Sequence, residues 1–155
     1  VSTLVTQVQA QSKIIADAER YFSIRNYEQA LPLFEQAIKE GSKDPGVHYK
    51  AGLCLQKSPN LNDQVKAIPY LEFALSASKD FPVSTYFDLG ELHLKNENIE
   101  KAIESYEKYK SLTQADKKAQ TQADKAITTA RTAITFMSVP RDFKVHSMGG
   151  NVNTA

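Results

Sequence analysis

The sequence predicts an all-α protein in which helical hairpins repeat along the chain. Three observations lead to this prediction: apolar residues recur at three- and four-residue intervals, polar turn residues interrupt these runs, and small residues return about one repeat apart. In the stretch Tyr86–Lys110, one apolar helical face runs through Gly90 and ends at the turn residues Asn96–Asn98. A second apolar face then begins and carries Ala102. Small residues on both helices allow close approach, so each unit is expected to form a hairpin.

The hairpin unit occurs three times over about Lys13–Leu112. Ala18, Gly52 and Gly90 take equivalent places in successive units, at steps of 34 and 38 residues. The second step is longer because extra residues fall around 58–63 and ahead of the third unit. A period near 34 with a Gly, a bulky residue and then Ala, an aromatic residue and Ala resembles the tetratricopeptide repeat (TPR) family. The resemblance implies a TPR solenoid, in which stacked hairpins share a continuous core.

This pattern predicts three TPR hairpins followed by a capping helix and an extended tail. The TPR domain is expected over residues 1–137, with repeats at about 11–44, 45–81 and 82–114, the capping helix at 115–137 and the tail at 138–155. Helices are expected at Leu4–Ile24, Tyr27–Glu40, Gly46–Lys57, Asp63–Ser78, Pro82–Lys95, Ile99–Leu112 and Ala115–Met137. Gly41 is placed to end the second helix. Pro32 and Pro69 are expected in first turns, where proline is tolerated.

The expected capping helix carries one narrow apolar stripe and is otherwise polar. A terminal repeat must cover its open apolar face with a polar exterior, so the stripe is expected to pack against the helix that contains Ile103 and Tyr106. The stripe residues expected in that contact are Ala126, Ala130, Ala133 and Ile134. A basic amphipathic helix could instead lie on a membrane, but an alanine-rich stripe buries little area, which favours the cap.

Length and charge restrict the function classes further. The chain has 155 residues, a size that suits one domain. Its 19 basic and 18 acidic residues are well mixed and give a formal net charge of +1, so no nucleic-acid partner is expected. No apolar run approaches the roughly 18–20 residues that a bilayer-spanning helix needs, so no direct membrane insertion is expected.

No residue pattern points to catalysis, a cofactor or a metal. Cys54 is the single cysteine, which allows neither an intramolecular disulfide nor a cysteine metal cluster, and it is expected to be a buried structural thiol. His48, His93 and His146 share no ligand spacing, and His93 is expected in the core. Carboxylates such as that of Glu104 lie at helical surface spacings. We therefore expect a protein that is not an enzyme and binds no cofactor or metal.

What remains is a surface for a partner. In a TPR solenoid the first helices of successive hairpins line a concave groove, and alignment on Ala18, Gly52 and Gly90 identifies the side chains expected to face it. These are Ile15, Glu19, Phe22, Tyr49, Leu53, Gln56, Phe87, Glu91 and Leu94. Tyr49 and Phe87 hold equivalent positions, as aromatic anchors for a bound protein or peptide segment would. Aromatic residues at these positions could equally serve packing alone, and the tail could also cover the strip.

One subfunction of the TPR family is not expected here. TPR co-chaperones grip an acidic C-terminal peptide through Lys, Arg and Asn side chains on the groove helices. The corresponding positions in this chain include Ile15, Glu19, Ser84 and Asp88, and none of them is basic or Asn. A carboxylate clamp of that type is therefore not predicted.

The final segment, SVPRDFKVHSMGGNVNTA, leaves the helical pattern and alternates apolar and polar residues around Phe143 and Val145. It resembles the junction in a family of Bacteroidota envelope proteins, in which a TPR block precedes a PD40 propeller and an OmpA-like peptidoglycan-binding domain. The matching residues are Pro140, Asp142, Val145, Met148, Gly149, Asn151, Val152, Asn153 and Thr154. The resemblance implies a periplasmic, outer-membrane-associated protein, and some members serve the type IX secretion machinery. Peptidoglycan would be bound only through a domain absent from this chain.

Two functions of different classes follow. The first is a non-catalytic protein–protein interaction scaffold of the bacterial envelope, which docks a segment of another envelope protein in the concave groove. The second is a structural spacer or cap for a following propeller domain, with no partner in the groove. A cytoplasmic TPR co-chaperone is a third and weaker hypothesis, because the clamp residues are missing.

Overall fold

The computed structural model describes the backbone of residues 2–138 and the side chains of residues 9–136. In this part of the chain all regular structure is helical, and strands are absent. The helices are α1 (Ser2–Ser23), α2 (Tyr27–Lys39), α3 (Pro45–Gln56), α4 (Leu61–Val65), α5 (Ala67–Ala77), α6 (Ser84–Lys95), α7 (Ile99–Leu112) and α8 (Lys117–Ser138). The expected extended tail with Phe143 and Val145 lies outside the described residues.

The helices pair into hairpins that stack in chain order. α1 packs on α2, α3 on α5 and α6 on α7, while α2 contacts α3 and α5 contacts α6 across successive hairpins. A buried cluster that includes Ala18, Phe34 and Ala51 joins the first hairpin to the second. Another cluster, around Leu71 and Leu89, joins the second hairpin to the third. Burial of apolar faces between neighbours stabilises such a stack, and the predicted all-α TPR solenoid is confirmed.

Two glycines lie where paired helices approach closely. A Cβ atom on Gly52 would lie 2.7 Å from Leu71 Cδ2 and 2.8 Å from Leu71 Cγ. On Gly90 it would lie 2.7 Å from Tyr106 Cδ1 and 2.9 Å from Tyr106 Cζ, and closer still to Cε1. Leu71 and Tyr106 are both fully buried. A side chain at either glycine would have to displace the buried side chain that faces it, which explains the requirement for the smallest residue.

The turns of the first and third hairpins are built alike. Each first helix is followed by a residue with a left-handed backbone, Arg25 at φ 60° and Glu97 at φ 57°. The next residue, Asn26 or Asn98, caps the second helix, because its side-chain oxygen accepts a hydrogen bond from the backbone N–H three residues on. Its own N–H donates to a carbonyl five residues earlier, at 2.9 and 2.8 Å. This pairing satisfies carbonyls at the end of each first helix.

The second hairpin differs from the prediction of a single helix over Asp63–Ser78. The structure has the short α4 and then α5, separated at Lys66. The physical reason is Pro69, the third residue of α5. Proline has no N–H to donate, and in a continuous helix its ring would clash with the carbonyl of Val65. The extra residues of this unit therefore form a separate helical turn, which Asn60 caps.

Helix α2 bears out one expectation and corrects another. Gly41 ends the helix as predicted, with φ 99° and an N–H that donates to the Ile38 carbonyl at 2.9 Å. The expectation that Pro32 lies in the first turn is wrong, because α2 begins at Tyr27 and Pro32 is its sixth residue. Pro32 is exposed, and its missing N–H removes one intrahelical hydrogen bond without ending the helix.

The last helix covers the end of the stack. α8 packs on α7, and Ala126 lies against the buried cluster that contains Tyr106. Ala130 is buried and Ala133 is half-buried, as expected for the stripe. Ile134 is 36% exposed, so its surface is only partly covered, and its predicted contact with α7 stays a prediction. α8 has 22 residues and α7 has 14, so the C-terminal turns of α8 extend past the helix that it covers.

Candidate functional site

The residues predicted to face the groove lie on the first helices of the three hairpins. α1 carries Ile15, Glu19 and Phe22, α3 carries Tyr49, Leu53 and Gln56, and α6 carries Phe87, Glu91 and Leu94. Glu91 is exposed and the others are half-buried. Half-buried apolar side chains along successive helices leave area that a partner could cover. We refer to these residues as the groove strip.

At the α1 end of the groove strip, an ion pair joins the first helix to the third. Lys50 Nζ donates to both carboxylate oxygens of Glu19, at 2.5 and 2.6 Å, and lies 5.9 Å from the ring centre of Phe22. The Phe22 ring meets Tyr27 and Phe34 edge to face, with ring centres 5.6 and 6.0 Å apart. These contacts hold Glu19 and Phe22 in place, so this end of the strip is preformed.

The centre of the groove strip is covered by an aromatic residue that the sequence prediction did not include. Phe81, in the connection between α5 and α6, stacks on Tyr49 with ring centres 4.5 Å apart and ring planes inclined by 27°. The Tyr49 hydroxyl lies within hydrogen-bonding distance of Thr85 Oγ1 on α6, at 3.4 Å. Tyr49 therefore ties α3 to the start of α6 and presents one ring face to the chain's own Phe81.

At the α6 end, helix α7 backs the groove strip. The ring centre of Phe87 lies 5.0 Å from that of Tyr106 and 5.3 Å from that of Tyr109. The Tyr106 hydroxyl donates to Glu91 Oε1 at 2.5 Å. Burial, and then the Glu91 carboxylate, raise the pKa of Tyr106, so its hydroxyl stays protonated and keeps its role as donor. Phe87 and Glu91 are thus both held by the second helix of their own hairpin.

A cavity of about 210 Å³ adjoins the strip between α3, α4 and α6. Its lining consists of Gln56, Gln64, Asp88, Glu91, Leu92 and Lys95. Burial raises the pKa of Asp88, against the attraction of Lys57, and the nearby Glu91 carboxylate raises it further. Lys95 Nζ donates to Gln64 Oε1 at 2.9 Å. Two carboxylates against one ammonium make this lining acidic overall, which is unfavourable for an acidic peptide.

The single cysteine, Cys54, and the histidine His93 are buried in the core. Cys54 is 4% exposed, and burial raises the pKa of its thiol to about 12, so little reactive thiolate is present at neutral pH. His93 is 3% exposed, and its Nε2 lies 3.3 Å from Glu72 Oε1. Within the described residues, no group of three or more His, Cys, Asp or Glu side chains could hold a metal ion. Among the helices described, none combines the length and apolar character of a membrane span.

Sequence reasoning missed two residues of this site. Lys50 directly follows Tyr49, which the alignment of the repeats did include. Its pairing with Glu19 could have been suspected from the sequence, because the two opposite charges are 31 residues apart, close to one repeat period. Phe81 lies among the extra residues ahead of the third hairpin, and its signal is an aromatic residue directly after the polar run 78–80. Both make contacts between distant parts of the chain, which helical periodicity does not describe.

The comparisons with known proteins agree with this architecture. The tetratricopeptide repeat family model matches residues 83–116, which span the third hairpin. No curated protein sequence matches the chain.

Solved structures resemble most of this chain. The first TPR domain of Spaghetti (RPAP3), bound to the HSP90 peptide SRMEEVD, has a TM-score of 0.57 and 13% identity, covering 82% of this chain and 94% of that one. MamA from Desulfovibrio magneticus RS-1 has a TM-score of 0.58 and 22% identity, covering 81% of this chain and 72% of that one. The TPR2B domain of yeast Sti1, in complex with pHsp70, has a TM-score of 0.55 and 15% identity, covering 79% and 97%. At these identities the similarity concerns the fold, which is that of a TPR solenoid.

Proposed function

We propose that this chain is a non-catalytic protein–protein interaction module that binds an extended segment of another protein along the groove strip. The observation that carries the proposal is the row of half-buried apolar and aromatic side chains on α1, α3 and α6, from Ile15 through Tyr49 to Leu94. Side chains of this kind on a concave face provide anchor positions for a peptide. The ion pair of Glu19 and Lys50 keeps neighbouring first helices in register for such a ligand.

The class of partner is a protein or peptide segment. Two structures with the same fold support a protein or peptide ligand for this surface, since that of Spaghetti holds an HSP90 peptide and that of Sti1 is a complex with pHsp70. The charges on the groove helices argue against an acidic C-terminal peptide as the ligand. Glu19 and Asp88 stand at positions where the co-chaperone clamp carries Lys, Arg or Asn, so we do not favour a cytoplasmic co-chaperone.

We further place this module in the bacterial cell envelope, in the periplasm and associated with the outer membrane. The support is the resemblance of residues 140–154 to the segment that leads into a PD40 propeller in Bacteroidota envelope proteins. Under this proposal the partner is another envelope protein, and the type IX secretion machinery is the apparatus in which we would first look for it. Fractionation of cells that express the protein tests this proposal, since recovery in the cytoplasm would contradict it.

The docking proposal is tested with the double variant Tyr49→Ala, Phe87→Ala. We expect it to lose a specific partner in pull-downs from envelope extract, while circular dichroism shows unchanged helicity. The matched control is Tyr86→Ala, because Tyr86 precedes Phe87 on α6 but lines a cavity with His93 and Lys101 instead. The partner's bound segment, made as a synthetic peptide, should then bind the purified wild-type chain and not the double variant.

A structural spacer is the second candidate, and a specific observation favours it. The two aromatic residues that would anchor a peptide already have partners within the chain, Tyr49 with Phe81 and Phe87 with Tyr106 and Tyr109. Under this alternative the hairpins cap a following propeller domain, and the double variant leaves the set of captured proteins unchanged.

A further inference from the structure

The stacking of Phe81 on Tyr49 occupies one position of the groove strip. The two rings lie nearly parallel, 4.5 Å apart, and both residues are half-buried. Tyr49 stands in α3 at the position that Phe87 takes in α6, so Phe81 covers what would otherwise be an exposed aromatic face. The surface beside the Tyr49 ring therefore accommodates a flat aromatic ring.

The segment that carries Phe81 can move away from Tyr49. It belongs to the connection 78–83, where the repeat step lengthens from 34 to 38 residues. Its two ends are bonded to the flanking helices, since the Ser78 N–H donates to the Ala74 carbonyl and the Pro82 and Val83 carbonyls accept from the N–H groups of Thr85 and Tyr86. Between these ends the described hydrogen bonds are local: Ser78 Oγ donates to Asp80 Oδ2 at 2.7 Å, and the Asp80 N–H donates to Ser78 Oγ at 3.1 Å. A connection held by local bonds can change its path without breaking the helices on either side.

Tyr49 is held independently of Phe81. Its hydroxyl meets Thr85 at 3.4 Å, and its ring packs against the buried cluster that contains Leu71 and Leu89. The platform therefore remains when Phe81 moves away. The corresponding partners of Phe87 differ in this respect, because Tyr106 and Tyr109 belong to helix α7 and cannot leave without unpacking it.

We propose that Phe81 is an internal occupant of the groove at Tyr49, and that the bound protein segment carries an aromatic side chain that takes its place. The inference rests on the proposed docking function and names the side-chain class that docking at this position requires. Phe81 then acts as a competitor that admits segments with a Phe, Tyr or Trp at this register and disfavours segments without one.

The test uses N-acetylphenylalaninamide as the probe and N-acetylleucinamide as its aliphatic counterpart, with binding followed by NMR shifts of Tyr49 and Thr85. We compare the wild type with Phe81→Ala, which empties the position. The aromatic probe should bind Phe81→Ala about fivefold more tightly than the wild type, the factor that one aromatic contact supplies. The aliphatic probe should gain much less. Phe73→Ala is the matched control, because Phe73 stacks on His48 on α3 with ring centres 3.9 Å apart, and its removal should leave probe binding at Tyr49 unchanged.

A second measurement keeps the test decisive if Phe81→Ala folds poorly. In the wild type, saturating aromatic probe should abolish the nuclear Overhauser contact between the Tyr49 and Phe81 rings. Persistence of that contact with the probe bound, or equal affinities in the wild type and Phe81→Ala, would overturn the proposal. Probe shifts confined to Phe87 and Tyr109 would also overturn it, while leaving the groove as a docking surface. Failure of the docking function itself would register separately, as an unchanged set of partners for the Tyr49→Ala, Phe87→Ala variant.

Discussion

The second and third hairpins cross their helices in the same way but connect them differently. In both, a glycine of the first helix faces a fully buried side chain of the second, Gly52 against Leu71 and Gly90 against Tyr106. The third hairpin then turns within residues 96–98, whereas the second inserts α4 between its paired helices. The glycine contact at the crossing is thus shared by both hairpins, while the connection between the paired helices differs.

The connections of the second hairpin shape the surface next to the groove strip. Gln64 of α4 lines the cavity that contains Asp88 and Glu91. The longer connection after α5 brings Phe81 onto Tyr49. The third hairpin, the one that the family model matches, has a short turn and contributes its groove residues from the helix alone. These two features next to the groove strip therefore come from the connections of the less regular repeat.

The largest expected effect concerns the position of the third hairpin at the end of the stack. The second hairpin has neighbours on both sides, but the third depends on α8. Ala130→Asp would place a carboxylate without a partner at a site that is 1% exposed, and we expect it to lower the free energy of unfolding by about 3 kcal/mol. Chemical denaturation monitored by circular dichroism measures this loss.

The control for the cap is Thr132→Asp, on the exposed side of the same helix. It adds the same charge on an exposed face, and because Thr and Asp have similar helix propensities it should cost less than about 1 kcal/mol. Equal losses for the two variants would mean that α8 does not cover the third hairpin in solution.

The second prediction compares the two crossings directly. Gly90→Ala forces a Cβ against the ring of Tyr106, and Gly52→Ala forces one against the more adaptable side chain of Leu71. Overpacking costs roughly 1–3 kcal/mol, and replacing a helical glycine by alanine returns about 1 kcal/mol. We expect net losses of about 2 kcal/mol for Gly90→Ala and about 1 kcal/mol for Gly52→Ala, measured by urea denaturation.

A double-variant cycle identifies the cause of the larger loss. Tyr106→Leu removes the ring, so Gly90→Ala should cost much less in that background than in the wild type. An unchanged cost would show that the strain arises elsewhere in the third hairpin.

The sequence was sufficient to predict the helix crossings but not the connections between the helices. The repeated places of Ala18, Gly52 and Gly90 were enough to predict three hairpins, because a close helix crossing needs a small residue at a regular step. Pro69 was expected in a first turn and is the third residue of α5. The break at Lys66 was nevertheless not predicted, because apolar periodicity alone extended the expected helix back to Asp63 and carries no information on the clash of the Pro69 ring with a carbonyl four residues earlier.

The candidate site was predictable only in part, for a related reason. Which residues stand on the first helices follows from the register of the repeats. The contacts of Lys50 with Glu19 and of Phe81 with Tyr49 depend on how successive hairpins rotate and on the path of a connection. Periodicity within one helix describes neither. The proposed binding role of the strip therefore remains a prediction that the variants above test.

The third prediction concerns the short turn that the second hairpin lacks. Glu97 has a left-handed backbone with φ 57°, a conformation that disfavours residues with a Cβ. Glu97→Gly should therefore stabilise the protein by about 0.5–1 kcal/mol, observed as a higher urea midpoint. Lys57 ends the first helix of the second hairpin with φ −85°, so Lys57→Gly relieves no strain and should instead destabilise slightly. A gain from Lys57→Gly equal to that from Glu97→Gly would contradict this explanation.

The smallest effect concerns a contact between the two hairpins and depends on pH. His93 of α6 is buried, and its Nε2 lies 3.3 Å from Glu72 Oε1 of α5. Burial lowers the pKa of His93; Glu72 and Glu104 oppose this shift, and Lys101 adds to it. The folded protein therefore binds fewer protons than the unfolded chain below the ordinary histidine pKa of about 6.5. The contribution of neutral His93 to the free energy of unfolding is therefore fully present above about pH 6.5 and decreases as the pH falls below that value.

We expect the free energy of unfolding to decrease from pH 7.5 to pH 5.5 by more in the wild type than in His93→Leu. The difference should be a fraction of the about 1.4 kcal/mol per pH unit that one fully coupled proton supplies. Glu72→Gln should have the opposite effect to His93→Leu. It removes the carboxylate that favours protonated His93, so the free energy of unfolding should decrease more steeply with falling pH than in the wild type. Urea denaturation at the two pH values measures all three proteins. If His93→Leu retained the wild-type pH dependence, the loss of stability would have to come from other groups, and the contact between α5 and α6 would not be sensitive to protonation.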